Sequence, residues 1–133
     1  MIKTIHLVLS EDGSMTIDDA SAGFVFENNA TTLSIAIPEA FASYEQYIDF
    51  KSPGMKCFYA KLSSSNATST LLIPSAALDR AGIGQLQWRG VKDNVTIKSK
   101  LIDYAVSEGI NASVASKLVS MTITANGAYS AAD

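Results

Sequence analysis

Two short alternating runs joined by one punctuated turn, in residues 71–92 (LLIPSAALDRAGIGQLQWRGVK), restrict this chain more than any other stretch. Leu71 and Ile73 fall on one face of an extended run, which Pro74 ends because it has no N–H for a sheet ladder. Ser75 is placed to cap a single helical turn through Leu78, and Gly82, free to adopt a left-handed conformation, to end it. From Gln85 the period is two: Leu86 and Trp88 face one way, and Gln85, Gln87 and Arg89 the other. A strand, turn and strand of this kind carry a chain from one sheet to another, as a β-sandwich requires. None of these residues forms a catalytic pattern.

The same period recurs along the chain. In residues 2–9, Ile5, Leu7 and Leu9 alternate with Thr4, His6 and Val8. Residues 11–14 signal a turn, with 15–17 pairing back across it and Asp18-Asp19 leading into a loop. Residues 24–27 are apolar without a period that settles their type, and Asn28-Asn29 breaks them. Leu33, Ile35 and Ile37 mark the cleanest strand, over 31–37, closed by Pro38. Pro38 to Phe41 suits one helical turn, with Phe41 and Tyr44 returning to the core. Residues 47–51 then form a strand with Ile48 and Phe50 inward, and 57–62 return from a turn at Ser52-Pro53-Gly54 in which Gly54 takes positive φ. Residues 62–69, LSSSNATS, read as a polar loop. Lys92-Asp93-Asn94 turns a second hairpin into 95–99, the Asp-Asn pair suiting positive φ. Inward parity is odd at Val95 and Ile97 but even at Ile102, Tyr104 and Val106, which predicts a bulge or break near Lys100. Residues 107–117 read as a loop, 118–124 as a last strand (with a helix over 112–121 as the alternative), and 126–133 as a frayed tail. Eight to ten short strands, at most two helical turns and no internal repeat predict an all-β domain, a two-sheet sandwich or a small barrel.

Function classes narrow by exclusion. The 133 residues suit one domain with a real core. A net charge of −3, with Lys and Arg scattered, argues against nucleic acid as a partner. No window reaches the ~18 apolar residues of a membrane span, and the short N-terminal apolar run lacks a small-residue cleavage site. A soluble protein made in a cytosol is expected. Cys57 is the sole cysteine, which excludes an intrachain disulfide and a multi-cysteine zinc site; beside Phe58 it reads as a buried, inert thiol. His6 is the sole histidine, on a strand, with no local nucleophile or orienting carboxylate. Glu11, Asp12, Asp18 and Asp19 do not have the spacing of a calcium loop, and Gly82-Ile83-Gly84 lacks the Lys and Ser/Thr of a phosphate loop. Asn-X-Ser/Thr triplets at Asn29, Asn66, Asn94 and Asn111 fall at turns, where these residue types concentrate anyway. Trp88, Tyr44, Tyr47, Tyr59 and Tyr104 include candidates for stacking on sugar; Trp88 shares a face with Leu86 and is assigned to the core. No catalytic, metal-ligating or cofactor-binding residue is expected, and no cofactor.

The segments MIKTIHLVLSEDGSMTI, FENNATTLSIAIP, YIDFKSPGMK, STLLIPSAALDRAG and IKSKLIDYAVSEGINA, in this order, resemble the N-terminal domain of baseplate upper proteins and related tail or fibre proteins of phages and prophages of Gram-positive bacteria. The resemblance spans residues 1–112 and is most specific at the FENNAT segment, at the P-x-x-x-L-x-x-x-G spacing from Pro74 to Gly82, and at SEGINA. It implies an immunoglobulin-like antiparallel β-sandwich over 1–112; the one or two short helical turns, and a C-terminal strand or helix and flexible tail over 113–133, are read from the residues themselves. It further implies a non-enzymatic adaptor in the virion, synthesised in the bacterial host cytoplasm, that docks on other virion structural proteins, with self-association as a trimer or other homo-oligomer as a second implied partner. This chain ends soon after Ala112, where the family continues through a long helix to a distal domain. The family supplies no motif residues for an interface. A β-sandwich module for cell-surface carbohydrate is the alternative, and it requires a cluster of solvent-facing aromatics.

Overall fold

A computed structural model describes residues 3–108, and within them the alternating runs form eleven strands and two 3-10 turns. Residues 109–133, with the expected strand at 118–124 and its helical alternative, lie outside the described residues, as does part of the loop expected over 107–117.

The strands are β1 (Lys3–Leu9), β2 (Met15–Ile17), β3 (Ser21–Phe24), β4 (Thr31–Ala36), β5 (Glu45–Lys51), β6 (Cys57–Lys61), β7 (Ser63–Ser65), β8 (Thr68–Leu72), β9 (Gly82–Lys92), β10 (Val95–Lys98) and β11 (Ile102–Ser107). They form two sheets: a first in the order β2-β1-β4-β8-β7, and a second in the order β3-β11-β9-β5-β6, with β10 also pairing with β9. The domain is an all-β sandwich in which antiparallel pairing dominates. Two pairs, β1 with β4 and β3 with β11, are parallel. Parallel neighbours need a long crossover, and β2 and β3 supply it between β1 and β4.

The two 3-10 turns sit where the chain changes sheet. Glu39–Phe41 lies between β4 and β5, and Ser75–Leu78 between β8 and β9. Each follows a proline in extended conformation, Pro38 or Pro74, which ends the strand before it. Ser75 does not cap its turn: no side-chain cap is made, and the Ser75 N–H instead donates to Asn28 Oδ1 at 3.0 Å. Gly82 has φ +140 but stands at the start of β9, beyond the turn, which ends at Asp79 in right-handed conformation.

Between the sheets lies one apolar layer that includes Ile5, Leu7, Ile35, Ile48, Leu86 and Trp88. Trp88 is fully buried; its ring stacks on Phe41 with centroids 5.5 Å apart, and its indole N–H donates to Gln46 Oε1 at 3.2 Å. Gln46 also accepts from Ser69 Oγ at 2.6 Å, so one buried amide ties β5 and β9 of one sheet to β8 of the other. Buried polar groups require such partners. Gly90 leaves room for the indole, since a Cβ there would stand 2.4 Å from a ring carbon. Tyr104 is buried and donates to Ala77 O at 2.7 Å; burial first, then the Asp79 charge, pushes its phenol well above the ordinary tyrosine range.

The register slip expected near Lys100 is present. Lys98 pairs with Arg89 but Ile102 with Leu86, so β10–β11 carries one residue more than β9 over that span. Residues 62–69 correct the reading of a loop. Ser63–Ser65 and Thr68–Leu72 are paired strands around a turn in which Asn66 has φ +55. Ser63–Ser65 is an edge strand exposed throughout, so no apolar period betrays it.

Candidate functional site

The residues singled out for chemistry do not converge. His6 lies on the outer face of β1, where its Nδ1 is 3.0 Å from Asp18 Oδ2 and its backbone N–H donates to Asp18 Oδ1. Both hydrogen bonds hold the Asp18 carboxyl below its usual range, the backbone one most. Asp12 is held low by Ser14, and Asp19 first by Lys3 and then by the Ser21 N–H. Each carboxylate serves its own local turn or pair. Among the described residues no three His, Cys, Asp or Glu side chains gather where a metal ion would sit. Gly82-Ile83-Gly84 opens β9, and Gly84 makes room for Tyr104, whose ring carbon would stand 2.4 Å from a Cβ there. Asn29 and Asn66 occupy left-handed positions; in the β9–β10 hairpin only Asp93, not Asn94, does so. Asn111 lies outside the described residues.

Cys57 is exposed, not buried. On edge strand β6 it shares the outward parity of Tyr59 and Lys61, while Phe58 and Ala60 pack on the core. Neighbouring Phe58 in sequence therefore placed Cys57 on the opposite face.

One end of the sandwich carries a group of exposed apolar side chains: Phe24, Phe26, Met55 and Ile83. Two of them are held at a conformational cost. Phe24 to Glu27 is a tight turn closed by Glu27 N–H to Phe24 O at 3.1 Å, and Phe26 at its third position has φ +69. That position ordinarily calls for glycine, yet Phe26 is 61% exposed. Ser52 to Met55 is a second turn, closed by Met55 N–H to Ser52 O at 2.8 Å and Ser52 N–H to Lys56 O at 2.9 Å. Here Met55, not Gly54, has positive φ (+70), and it is 67% exposed. The β1–β2 hairpin makes the same pair of bonds, at Ser10, Gly13 and Ser14, and puts Gly13 at the equivalent left-handed position. Gly54 is needed for another reason: a Cβ there would meet the Asp79 carboxylate at 2.2 Å.

Consecutive residues at the end of the second 3-10 turn anchor both strained turns. Leu78 O accepts the Phe26 N–H at 3.0 Å, and the Asp79 carboxylate accepts Ser52 Oγ at 2.8 Å and Gly54 N–H at 3.0 Å. The chain leaves β11 at this same end, where the Val25 N–H donates to Ser107 O at 3.0 Å.

A second surface is the outer face of β6, β5 and β9. Tyr47 stands opposite Arg89, and Asp49 stands between Tyr59 and Gln87. Asp49 accepts from Arg89 Nε at 2.9 and 3.1 Å and from Nη2 at 3.0 Å. That carboxylate raises the Arg89 pKa further still. The guanidinium carbon lies 4.5 Å from the Tyr47 ring centre and 5.2 Å from that of Tyr59, and the two rings meet edge to face at 5.8 Å. Of the five aromatics weighed for sugar contact, Trp88 and Tyr104 belong to the core, Tyr44 packs against it, and Tyr47 and Tyr59 form this outer cluster. Beside it runs an open groove of about 570 Å³ floored by β5, β6 and β9, with Lys98 and Leu101 at its border.

Period-two alternation places Tyr47, Tyr59 and Arg89 outward, but only the strand order β9-β5-β6 makes them neighbours. The sequence marks the turn at Ser52-Pro53-Gly54 but not the strain at Met55, and nothing marks the strain at Phe26, because neither residue is the glycine that would have signalled positive φ. No family model matches the chain, and no curated protein matches it.

Proposed function

We propose that this protein is a non-enzymatic structural component of bacteriophage or prophage virions, an adaptor of the baseplate, tail-fibre or head-fibre kind that docks on another virion component. Its place is the virion, after synthesis in the bacterial host cytoplasm. The resemblance of residues 1–112 supports the class, and the apolar end of the sandwich supports the docking role. The observation that carries the reading is the pair Phe26 and Met55. A residue with a Cβ in left-handed conformation costs roughly 1–2 kcal/mol, and an exposed apolar side chain returns little of that to the isolated fold. Strain of this kind persists where a function needs the group presented. Phe and Met are also enriched in the cores of protein interfaces. The two turns are fixed to Leu78 and Asp79, so the surface is pre-organised and little ordering entropy opposes association.

The test uses phage particles. Purified particles from the producing strain are expected to contain the natural chain by mass spectrometry. Particles assembled with the Phe26→Gly, Met55→Gly double variant are expected to lack it, although that variant folds at least as stably. Absence of the natural chain from the particles, or retention of the variant at the natural level, contradicts the proposal.

A further inference from the structure

We propose that the groove beside Tyr47, Tyr59 and Arg89 is a binding site for an acidic oligosaccharide. The proposal stands apart from the docking role, since it rests on other residues on the outer face of the second sheet. A pyranose ring has a C–H face and a rim of hydroxyls, so its receptor needs a ring to lie against and planar polar groups at the edge. Tyr59 supplies the ring. It is 65% exposed and held in place by the edge-to-face contact with Tyr47 and by Arg89, which Asp49 anchors through three hydrogen bonds. A tyrosine so fixed loses little freedom on binding. Gln85 and Gln87 supply the edge. Their amide nitrogens donate to Asp103 Oδ1 at 3.1 Å and to Ser99 O at 2.7 Å, which orients each amide and leaves its carbonyl oxygen to accept from a hydroxyl.

Charge selects the class of sugar. The chain as a whole is acidic, with net charge −3. Yet the groove is lined by Lys51 and Lys98, neither of which forms an ion pair among the described residues, and the Asp49 carboxylate is already neutralised by Arg89. Asp103 is not among the lining residues, and its carboxylate accepts from Gln85 Nε2 at 3.1 Å. Two uncommitted ammonium groups thus face a cavity whose 570 Å³ lies in the range of small-ligand sites, about 300–1,000 Å³. Carboxylate- or sulfate-bearing sugars complement them, and neutral ones do not.

The full chain is titrated by NMR with hexagalacturonate, a hyaluronan hexamer, sulfated dextran, maltohexaose, inorganic phosphate and a dT oligomer. At least one of the three acidic oligosaccharides is expected to shift the amides of Lys51, Tyr59, Gln85 and Gln87, to weaken as salt rises, and to bind at least tenfold more tightly than maltohexaose. Tyr59→Ala and Lys51→Ala, both on the solvent face, are each expected to weaken that binding at least tenfold while the amide spectrum shows the sandwich still folded. No shift of those amides with any acidic oligosaccharide overturns the proposal. So does equal binding of maltohexaose, or binding of phosphate or the dT oligomer as tight as that of the sugars. The particle experiment above reads a different surface, so either proposal can fail alone.

Discussion

Met55 and Gly54 exchange the roles their residue types suggest. Glycine in a Ser-Pro-Gly turn ordinarily supplies positive φ; here it supplies the missing Cβ, and methionine takes the strained conformation. The cause is Asp79, whose carboxylate closes on the Gly54 backbone and on Ser52. Gly54→Ala is therefore expected to destabilise the fold by about 1–3 kcal/mol, the usual cost of forcing atoms into a filled space. Denaturant unfolding measures it, and a change below 0.5 kcal/mol would show that Asp79 moves aside freely. The sequence revealed the turn but not which residue bears the strain, because that depends on a side chain 25 positions away. Cys57 was misplaced for a similar reason: its neighbour Phe58 is apolar, yet on a strand adjacent residues face opposite sides.

Among the elements, β9 organises the rest. It pairs with β5, β11 and β10, and it carries Trp88, the largest fully buried side chain. Trp88→Ala is expected to cost about 3–5 kcal/mol, read as a shift of the urea midpoint at constant slope; near-natural stability would contradict its place in the core. The period of β9, its passage between sheets through the second 3-10 turn and the slip at Lys100 were all legible, since a period of two reports which face is buried. The hairpin of β7 and β8 was not. Ser63–Ser65 is held by its backbone ladder to β8 and by the Ser64–Ser69 hydroxyl contact at 3.0 Å, with no apolar residue to give a period. Strand β3 was missed likewise, being short and parallel to β11 with only Ala22 buried. The aromatic groove was half legible: parity put its side chains outward, but strand order, which no local pattern encodes, brought them together.

The whole molecule is a two-sheet sandwich whose carboxylates Asp12, Asp18 and Asp19 each sit in a local hydrogen-bonded turn or pair and are held below the ordinary range. A depressed carboxyl binds its proton less readily folded than unfolded. Its contribution to stability is thus present above the unfolded value, about 3.9, and is lost as pH falls through the folded values. The melting temperature is expected to hold between pH 7 and 5 and to fall below about pH 4; a fall that begins between pH 7 and 5 would contradict this assignment. At the same scale, the proposed docking role requires that Phe26 and Met55, exposed and left-handed, contribute little to holding the fold together. The most direct test is the thermal melt of the Phe26→Gly, Met55→Gly double variant. Relief of two left-handed residues, less the added freedom of the unfolded chain, gives a net gain of about 1 kcal/mol, or a rise of roughly 3–5 °C for a domain of this size. A fall of several degrees would mean that the two side chains hold the sandwich together, and the docking account would be wrong.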